Sequence, residues 1–349
     1  MRDSAGTASP ARGTVSDLGE HALLARLRAL APPPPPWVIV GIGDDAAVLE
    51  PPRNQLDVVT TDALVEHVHF DRRFSSPADV GHKALAVNLS DLAAMGAEPR
   101  AALLSLALPD TLLVAEFDAL VQAFLAAAAS QRVALVGGNL SRSPGPLVVD
   151  VTAVGAVRRR RVLGRAGARP GDALYLSGTV GAAAAGLGWL RAHAGAEAPR
   201  EPVPPIVERY RRPSPRVRLG VIVGRNRAAA ACVDLSDGLA DAARQIAGAS
   251  GTGAVLDAAA IPVDAGAREW YQGQGLDPLE AALAGGEDYE LLFAVPRRRR
   301  RGFLAAARLA RDTRVTCIGA VTEGPTVALR RNGREEALPA GFAHFADRR

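Results

Sequence analysis

The sequence predicts an α/β (α+β) protein of two domains, with a mixed sheet and helices in the N-terminal domain and a second α/β domain after it. The chain has 349 residues, which is more than one ordinary domain core needs. Short β-like runs come in sequential clusters between longer helical stretches, and this favours a mixed or antiparallel sheet over a doubly wound one. An arginine- and glycine-rich segment at 158–172 separates two such clusters. We therefore expect a flexible tail at 1–15, an N-terminal domain at 16–157 and a C-terminal domain at 158–349.

In the N-terminal half, Ser16 is expected to cap a helix whose leucines up to Leu30 share one face. The proline run at 32–36 ends this helix and forms a short stiff spacer. A long apolar helix is expected from Pro77 to about Met95, closed by Gly96, and another at 112–130. Strands are expected at 37–40, 46–49, 57–61, 65–70, 100–108, 133–136 and 147–157.

The C-terminal half alternates strands and helices in the same manner. Strands are expected at 172–177, 229–233 and 254–256. Helices are expected at 180–194 and 239–249, with another ending at Val223, and an extended, proline-rich connection at 195–215.

The composition narrows the protein class. Hydrophobic residues make up 48% and charged residues 22% of the chain, as in globular proteins. No apolar run reaches the roughly 18 residues of a membrane helix, and the first residues lack the apolar core of a secretion signal. Cys232 and Cys317 are too few for a disulfide framework or a zinc site. We therefore expect a cytoplasmic protein that does not bind membranes.

The net charge of +4 and the pI near 9.5 raise the question of nucleic-acid binding. Lys83 is the only lysine, so the basic residues are almost all arginines. The arginine runs at 158–161 and 297–301 are interpreted as solvated surface, because electrostatic binding requires clustering on one face. We expect no nucleic-acid partner.

Acidic residues recur in glycine turns and at the ends of predicted strands. Taken singly, most of them fit an ordinary helix cap or turn. Asp91 does not, because it lies within an apolar helical run where a carboxylate needs water, a partner or a metal. Several such carboxylates together favour an oxygen-ligand Mg²⁺ site that bridges phosphates. The acidic residues of these motifs are Asp44, Asp45, Asp62, Asp91, Asp234, Asp237, Glu287, Asp288 and Glu290.

Two glycine-rich segments are candidate phosphate-binding turns, at 137–139 after an apolar run and at 177–181 before a predicted helix. A glycine-rich helix start more often serves close packing than ligand binding. The sequence contains neither a Walker A motif nor a dinucleotide-binding fingerprint in the usual position, and no Ser-His-Asp or Cys-His arrangement.

Taken together, these motifs resemble the thiamine-monophosphate kinase family, within the superfamily that includes aminoimidazole ribonucleotide synthetase and selenophosphate synthetase. The matching stretches follow the family's order. They are GIGDDAAVL (41–49), TTDALVEHVHF (60–70), GHKALAVNLSDLAAMGAEPR (81–100), GRAGARPGD (164–172), DLSDGL (234–239) and GGEDYEL (285–291).

The resemblance implies ATP-dependent phosphorylation of thiamine monophosphate to thiamine diphosphate, assisted by several Mg²⁺ ions. It also implies a homodimer that forms through the N-terminal sheet. The acceptor phosphate is already ionised near neutral pH, so the reaction needs cations against phosphate repulsion more than it needs a general base.

The resemblance also implies roles for individual residues. The implied magnesium ligands are Asp45, Thr60, Thr61, Asp62, Asp91, Asn139, Asp234 and Asp237, of which Asp62, Asp91 and Asp237 are the implied catalytic residues. The implied ATP contacts are Gly138, Arg165 and Ser236, and the implied thiamine-phosphate contacts are His69, Glu287 and, by a loose alignment, Phe342. At position 139 the family's aspartate is replaced by asparagine, which keeps a carbonyl ligand and removes one negative charge.

Three alternatives remain open at the level of sequence. The first is another ATP-dependent enzyme of the same superfamily, which the 285–290 stretch disfavours. The second is a non-catalytic metal- or nucleotide-binding regulator, supported only by Asn139. The third is a basic nucleic-acid-binding protein, whose binding would fall steeply with salt.

Overall fold

The computed structural model describes residues 13–193, 202–311 and 313–341. Its helices and strands interleave along the chain, so the predicted mixed α/β class is confirmed. The chain forms two compact units that interleave in sequence. Of the described residues, those within 1–50, 61–85 and 101–152 form unit 1, and those within 51–60, 86–100 and 153–349 form unit 2.

The elements up to residue 157 build a sheet of four strands within the described part of the chain, in the order β3-β6-β4-β5. Strands β4 and β5 run parallel, and β1 pairs with β2 in a small antiparallel ribbon. The elements are α1 (Val15–Leu18), α2 (Glu20–Leu30), β1 (Val38–Val40), β2 (Val48–Leu49), β3 (Leu56–Val65), α3 (Pro77–Ala94), β4 (Glu98–Pro109), α4 (Val114–Ser130), β5 (Ala134–Ser143) and β6 (Val148–Val157).

The elements after residue 157 build a second sheet in the order β13-β12-β9-β11-β7-β10-β8. Its pairs are antiparallel except for β12 with β9, and β8 lies at one edge. The elements are β7 (Ala173–Ser177), α5 (Ala182–His193), α6 (Pro205–Arg211), α7 (Val217–Arg225), β8 (Ala231–Asp234), α8 (Leu239–Ser250), β9 (Gly253–Asp257), α9 (Ala265–Gly273), α10 (Pro278–Ala284), β10 (Leu291–Val295), α11 (Arg300–Ala310), β11 (Val315–Thr322), β12 (Val327–Arg331) and β13 (Arg334–Ala337).

The core of unit 2 lies between this second sheet and helix α8. Leu176, Val233 and Leu292 come from the strands β7, β8 and β10, and Leu239 and Ile246 come from α8. All are almost fully buried. Each apolar side chain buried in this way stabilises the fold by roughly 1.5–3 kcal/mol. The packed core therefore fixes the strands, and with them the polar residues at the strand ends.

The first helix differs from the sequence-based prediction. The chain forms two helices, α1 and α2, separated at Gly19, which has a φ of 75°. The residue at the N-cap is Thr14 and not Ser16, because Asp17 accepts hydrogen bonds from the Thr14 N–H at 2.8 Å and from its hydroxyl at 2.9 Å. Acceptance of the N-cap N–H by the side chain of the third helical residue is the carboxylate half of a capping box.

Two strands are longer than predicted. The single strand β3 covers 56–65, whereas the sequence predicted two runs with Thr61 at the end of the first. The predicted glycine turn at 137–139 lies inside β5, where Gly138 is paired with Leu104 of β4. A Cβ on Gly138 would stand 1.8 Å from the Leu104 carbonyl oxygen, so glycine permits this close strand approach instead of making a turn.

No helix in the described part of the chain combines the length and the apolar character that crossing a membrane requires.

Candidate functional site

Asp91 lies near the C-terminal end of α3, as the sequence predicted. The Thr60 hydroxyl, from β3, donates a hydrogen bond of 2.5 Å to Asp91 Oδ2. Partial burial raises the pKa of the Asp91 carboxyl, while this hydrogen bond and the charge of Arg165 act in the opposite direction. The aspartate that interrupts an apolar helix is therefore held by a hydroxyl partner within unit 2.

Asp234 is the last residue of β8 and is 5% exposed. Its register partner is Leu291 at the start of β10, so the β8–β10 ladder fixes its backbone. The Ser90 hydroxyl donates to Asp234 Oδ2 at 2.7 Å. Burial, followed by the negative charge of Asp91, raises the pKa of Asp234 to about 7.

Asp91 and Asp234 form a carboxylate pair, and the name is kept below for these two residues. The charge of Asp91 raises the pKa of Asp234, which means that the two carboxylates repel each other when both are ionised. Arg165 lowers the pKa of both members, so its positive charge compensates the pair in part. The arrangement stores electrostatic repulsion that a further cation would relieve.

The segment that carries Arg165 is anchored beside the edge strand β8. The Gly164 carbonyl accepts a hydrogen bond from Cys232 N–H at 2.8 Å. The Ser250 hydroxyl accepts from Ala168 N–H at 3.1 Å. Gly167 has a φ of 112°, and a Cβ there would stand 2.9 Å from the Ala230 carbonyl oxygen. Because these contacts fix the backbone on both sides of Arg165, they place its exposed side chain near the carboxylate pair.

The loop after β8 and the loop before β10 are joined by backbone hydrogen bonds. Glu287 N–H donates to the Ser236 carbonyl at 2.7 Å, and Tyr289 N–H donates to the Leu235 carbonyl at 3.0 Å. A Cβ on Gly286 would stand 2.5 Å from the Ser236 carbonyl oxygen. Ser236 also donates its hydroxyl to Asp237 Oδ2 at 3.2 Å. The two predicted motifs DLSDGL and GGEDYEL therefore form one continuous feature.

The second of these loops holds strained backbone. Glu287 and Tyr289 have φ values of 67° and 49°, a left-handed conformation that costs such residues about 1 kcal/mol or more each. Between them, the buried Asp288 accepts hydrogen bonds from Gly181 N–H at 2.7 Å and Ala183 N–H at 3.2 Å. Burial raises the pKa of Asp288 to about 7. The loop is thus held in a costly conformation that presents Glu287, half-buried, beside Ser236.

Within unit 1, the predicted metal-binding residues occupy three local settings. Asp45 is exposed in the glycine turn before β2, where its N–H donates to Asp44 Oδ1 at 2.9 Å. The Thr61 hydroxyl lies 3.3 Å from Asp150 Oδ1 and also contacts Val151 and Thr152. Asp62 follows on β3 and is half-buried.

The remaining unit 1 candidates lie on or next to strands. His69 Nδ1 accepts a hydrogen bond from Val65 N–H at 3.0 Å, so the neutral ring carries its proton on Nε2. Asn139 is exposed on β5, opposite Ser105 of β4. Gly138 precedes it at the close approach to Leu104. Phe342 lies outside the described residues.

Comparison with known proteins decides the family. A model described as AIR synthase related protein, N-terminal domain, matches residues 43–157, and its C-terminal counterpart matches 169–332. A thiamine-monophosphate kinase from Synechococcus elongatus is 38% identical over 340 residues, covering 95% of this chain and 98% of its own. This chain belongs to the thiamine-monophosphate kinase family.

Solved structures of the kinase family agree with the fold. The thiamine-monophosphate kinase from Stenotrophomonas maltophilia superposes with a TM-score of 0.80 and 38% identity, over 91% of this chain and 98% of that one. A second structure, AaThiL complexed with AMPPCP and TMP, gives a TM-score of 0.73 and 33% identity, over 94% and 98% of the two chains.

In this kinase-family chain the carboxylate pair fits a magnesium ion by its donor chemistry. Two carboxylates that repel each other, flanked by the hydroxyls of Thr60 and Ser90, offer the hard oxygen atoms that Mg²⁺ prefers. Among the residues described, no group of three or more His, Cys, Asp or Glu side chains could hold a metal ion. The full ligand set therefore stays a prediction.

Four polar residues to which the family resemblance assigned no role support these kinase motifs. Ser90 holds Asp234, and Asp150 contacts the Thr61 hydroxyl. Asp288 and Glu290 are buried behind Glu287. Ser90 could have been noticed as a polar residue inside an apolar helix, whereas Asp288 and Glu290 were already among the acidic motif residues, without a partner predicted for either.

Proposed function

We propose that this protein transfers the γ-phosphoryl group of ATP to the phosphate of thiamine monophosphate, which gives thiamine diphosphate and ADP. Membership of the kinase family, at 38% identity over nearly the whole chain, is the observation that carries this proposal. The AaThiL structure, with an ATP analogue and TMP bound, supports the choice of both substrates.

Asp91 and Asp234 would hold Mg²⁺, with Asp45, Thr60, Thr61, Asp62, Asn139 and Asp237 as the further proposed ligands. When bound, the metal supplies positive charge that offsets the repulsion between two phosphates and orients them for in-line transfer. Arg165 would contribute a guanidinium to the nucleotide phosphates, because its charge already acts on the carboxylate pair.

The joined loops would bind substrate. Ser236, which we propose contacts ATP, and Glu287, which we propose contacts thiamine monophosphate, are adjacent through the hydrogen bond from Glu287 N–H to the Ser236 carbonyl. The strained backbone at Glu287 would thereby place ATP and thiamine monophosphate next to each other on the two joined loops. Gly138, His69 and Phe342 are the other proposed contacts.

We also propose that the active form is a homodimer. Along β3 every second residue from Asp57 to Ala63 is exposed, and Val59 is 63% exposed. Leu103 on β4 is 37% exposed. Exposed apolar residues on strands favour a protein partner, and a second copy of the chain is the partner that the family resemblance implies.

The experiment that tests the activity incubates purified protein with thiamine monophosphate, ATP and Mg²⁺ and quantifies thiamine diphosphate and ADP by chromatography. Equal amounts of both products are expected. Asp234→Asn should lower kcat by at least roughly a hundredfold, since metal-mediated charge stabilisation contributes several kcal/mol.

A matched control is Asp110→Asn, which removes a partly exposed carboxylate paired with Arg142. It should retain the wild-type rate. If the wild-type protein binds ATP and Mg²⁺ but forms no thiamine diphosphate, the kinase proposal fails and a regulator that kept the fold becomes the better explanation.

A further inference from the structure

Unit 2 contains a cavity of about 400 Å³ that none of the proposed catalytic or substrate residues lines. Three arginines contribute to its wall, Arg209 from α6, Arg216 next to α7 and Arg314 before β11. Thr179, Asp264 and Thr316 complete its polar lining. We call this cavity the arginine pocket. Its volume falls in the range of small-molecule sites, roughly 300–1,000 Å³.

Two of the three arginines, Arg209 and Arg216, form ion pairs with the fully buried Glu290. Its carboxylate accepts from Arg209 Nη2 at 2.9 Å and from Arg216 Nε at 2.7 Å, and Arg216 Nη2 makes a further close contact. The Ser177 hydroxyl adds a hydrogen bond of 2.6 Å to Glu290. The guanidinium groups are thereby fixed in orientation before any ligand arrives, which lowers the entropic cost of binding one.

Among the described residues at the pocket, the arginines outnumber the carboxylates. Three guanidinium groups face two carboxylates, Glu290 and Asp264, and Asp264 is engaged by Gly266 N–H and Ala267 N–H at the start of α9. Among the described residues, the Arg314 side chain forms no ion pair, and Arg209 uses only Nη2. The pocket therefore combines net positive charge with unused donors.

We infer that the arginine pocket binds the phosphate group of a small molecule at a site separate from the carboxylate pair. A phosphate takes several charge-assisted hydrogen bonds from guanidinium groups at once. The carboxylates of the proposed active site have the opposite sign and would repel the same group in the absence of a metal ion. Free phosphate and a phosphate monoester share this chemistry, although the cavity has room for the organic part of a monoester.

The test is isothermal titration calorimetry of the full chain with inorganic phosphate and, separately, with ribose 5-phosphate as a monoester probe. Chelator is present, and ATP, thiamine monophosphate and Mg²⁺ are absent, so the result does not depend on kinase activity. Wild-type protein should bind at least one probe, and Arg314→Gln should weaken this binding about tenfold. Tighter binding of the monoester would indicate that its organic part occupies the cavity. Equal binding of the two probes would indicate that the pocket recognises the phosphate group alone. Either result supports a phosphate site in the arginine pocket.

Two variants serve as matched controls, because each removes one exposed arginine elsewhere. Arg308→Gln changes an exposed residue of α11, and Arg165→Gln changes the arginine beside the carboxylate pair. Both should bind the probes as the wild type does. The inference is overturned if neither probe binds, if Arg314→Gln binds as well as Arg308→Gln, or if Arg165→Gln abolishes binding, which would place the phosphate at the active site.

Discussion

Magnesium binding by this protein should depend on pH between 6 and 8, a range in which ordinary aspartates do not titrate. The reason is the position of Asp234, whose pKa is raised to about 7 by burial and by the charge of Asp91. A carboxylate must be deprotonated to act as a metal ligand, so Mg²⁺ bound at the proposed site would compete with a proton at this residue.

The size of the effect follows from the pKa. With a pKa of about 7, roughly one eleventh of Asp234 is ionised at pH 6 and roughly ten elevenths at pH 8. The apparent Kd for Mg²⁺ should therefore be about tenfold weaker at pH 6 than at pH 8, whereas an aspartate near its ordinary pKa would change it by only about 1%. Below the raised pKa the metal must displace a proton, and above it the carboxylate is already free to bind.

The assay is calorimetric titration of Mg²⁺ at pH 6, 7 and 8 in two buffers of different ionisation enthalpy, which also counts the protons released. About 0.9 proton per Mg²⁺ should leave at pH 6 and about 0.1 at pH 8. Ser90→Ala removes the donor that lowers the pKa of Asp234, so it should move the transition to higher pH. Ser130→Ala, which removes a hydroxyl bonded to the Ala127 carbonyl, is the matched control. A Kd that agrees within twofold between pH 6 and pH 8 would refute the reasoning.

Three further outcomes are expected. Asp62→Asn should lower kcat by at least roughly a hundredfold in the chromatographic assay, and a near-wild-type rate would remove Asp62 from the catalytic centre. Asn139→Asp restores a negative charge and should lower the Mg²⁺ concentration for half-maximal rate; no change would mean that residue 139 is not a ligand. Gly138→Ala should lower the free energy of unfolding by about 2–4 kcal/mol in urea, because its Cβ would stand 1.8 Å from the Leu104 carbonyl, whereas Gly145→Ala, with open space around it, should change it little.

Local signals made part of the site predictable. The apolar run around Asp91 correctly indicated a helix with a carboxylate that needs a partner, and the run before Asp234 correctly indicated a strand that ends there. In both cases the information lies within a few neighbouring residues. The spacing of the apolar side chains predicts a helix or a strand, and a polar residue that interrupts the apolar run indicates a candidate site.

Contacts between distant parts of the chain were not predictable. Thr60 lies 31 residues before its partner Asp91, and Arg216 lies 74 residues before Glu290, so no local pattern joins them. Gly138 was expected in a turn because glycine commonly breaks strands, and only the position of a neighbouring strand shows why it is tolerated within one. These long-range contacts and the close approach at Gly138 depend on how distant segments pack and which strands pair, and local sequence patterns do not contain that information.

The segment at 164–168 has a consequence for solubility as well as for the site. An edge strand such as β8 exposes unpaired backbone groups to which another chain can add. The hydrogen bond from Cys232 N–H to the Gly164 carbonyl covers part of that edge with the same segment that carries Arg165. Substitutions that displace this segment, Gly167→Val for instance, would thus damage two properties at once: the guanidinium would leave the carboxylate pair, and the uncovered strand would favour self-association. In a screen for variants without activity, the substitutions that also cause aggregation should therefore cluster in this short segment.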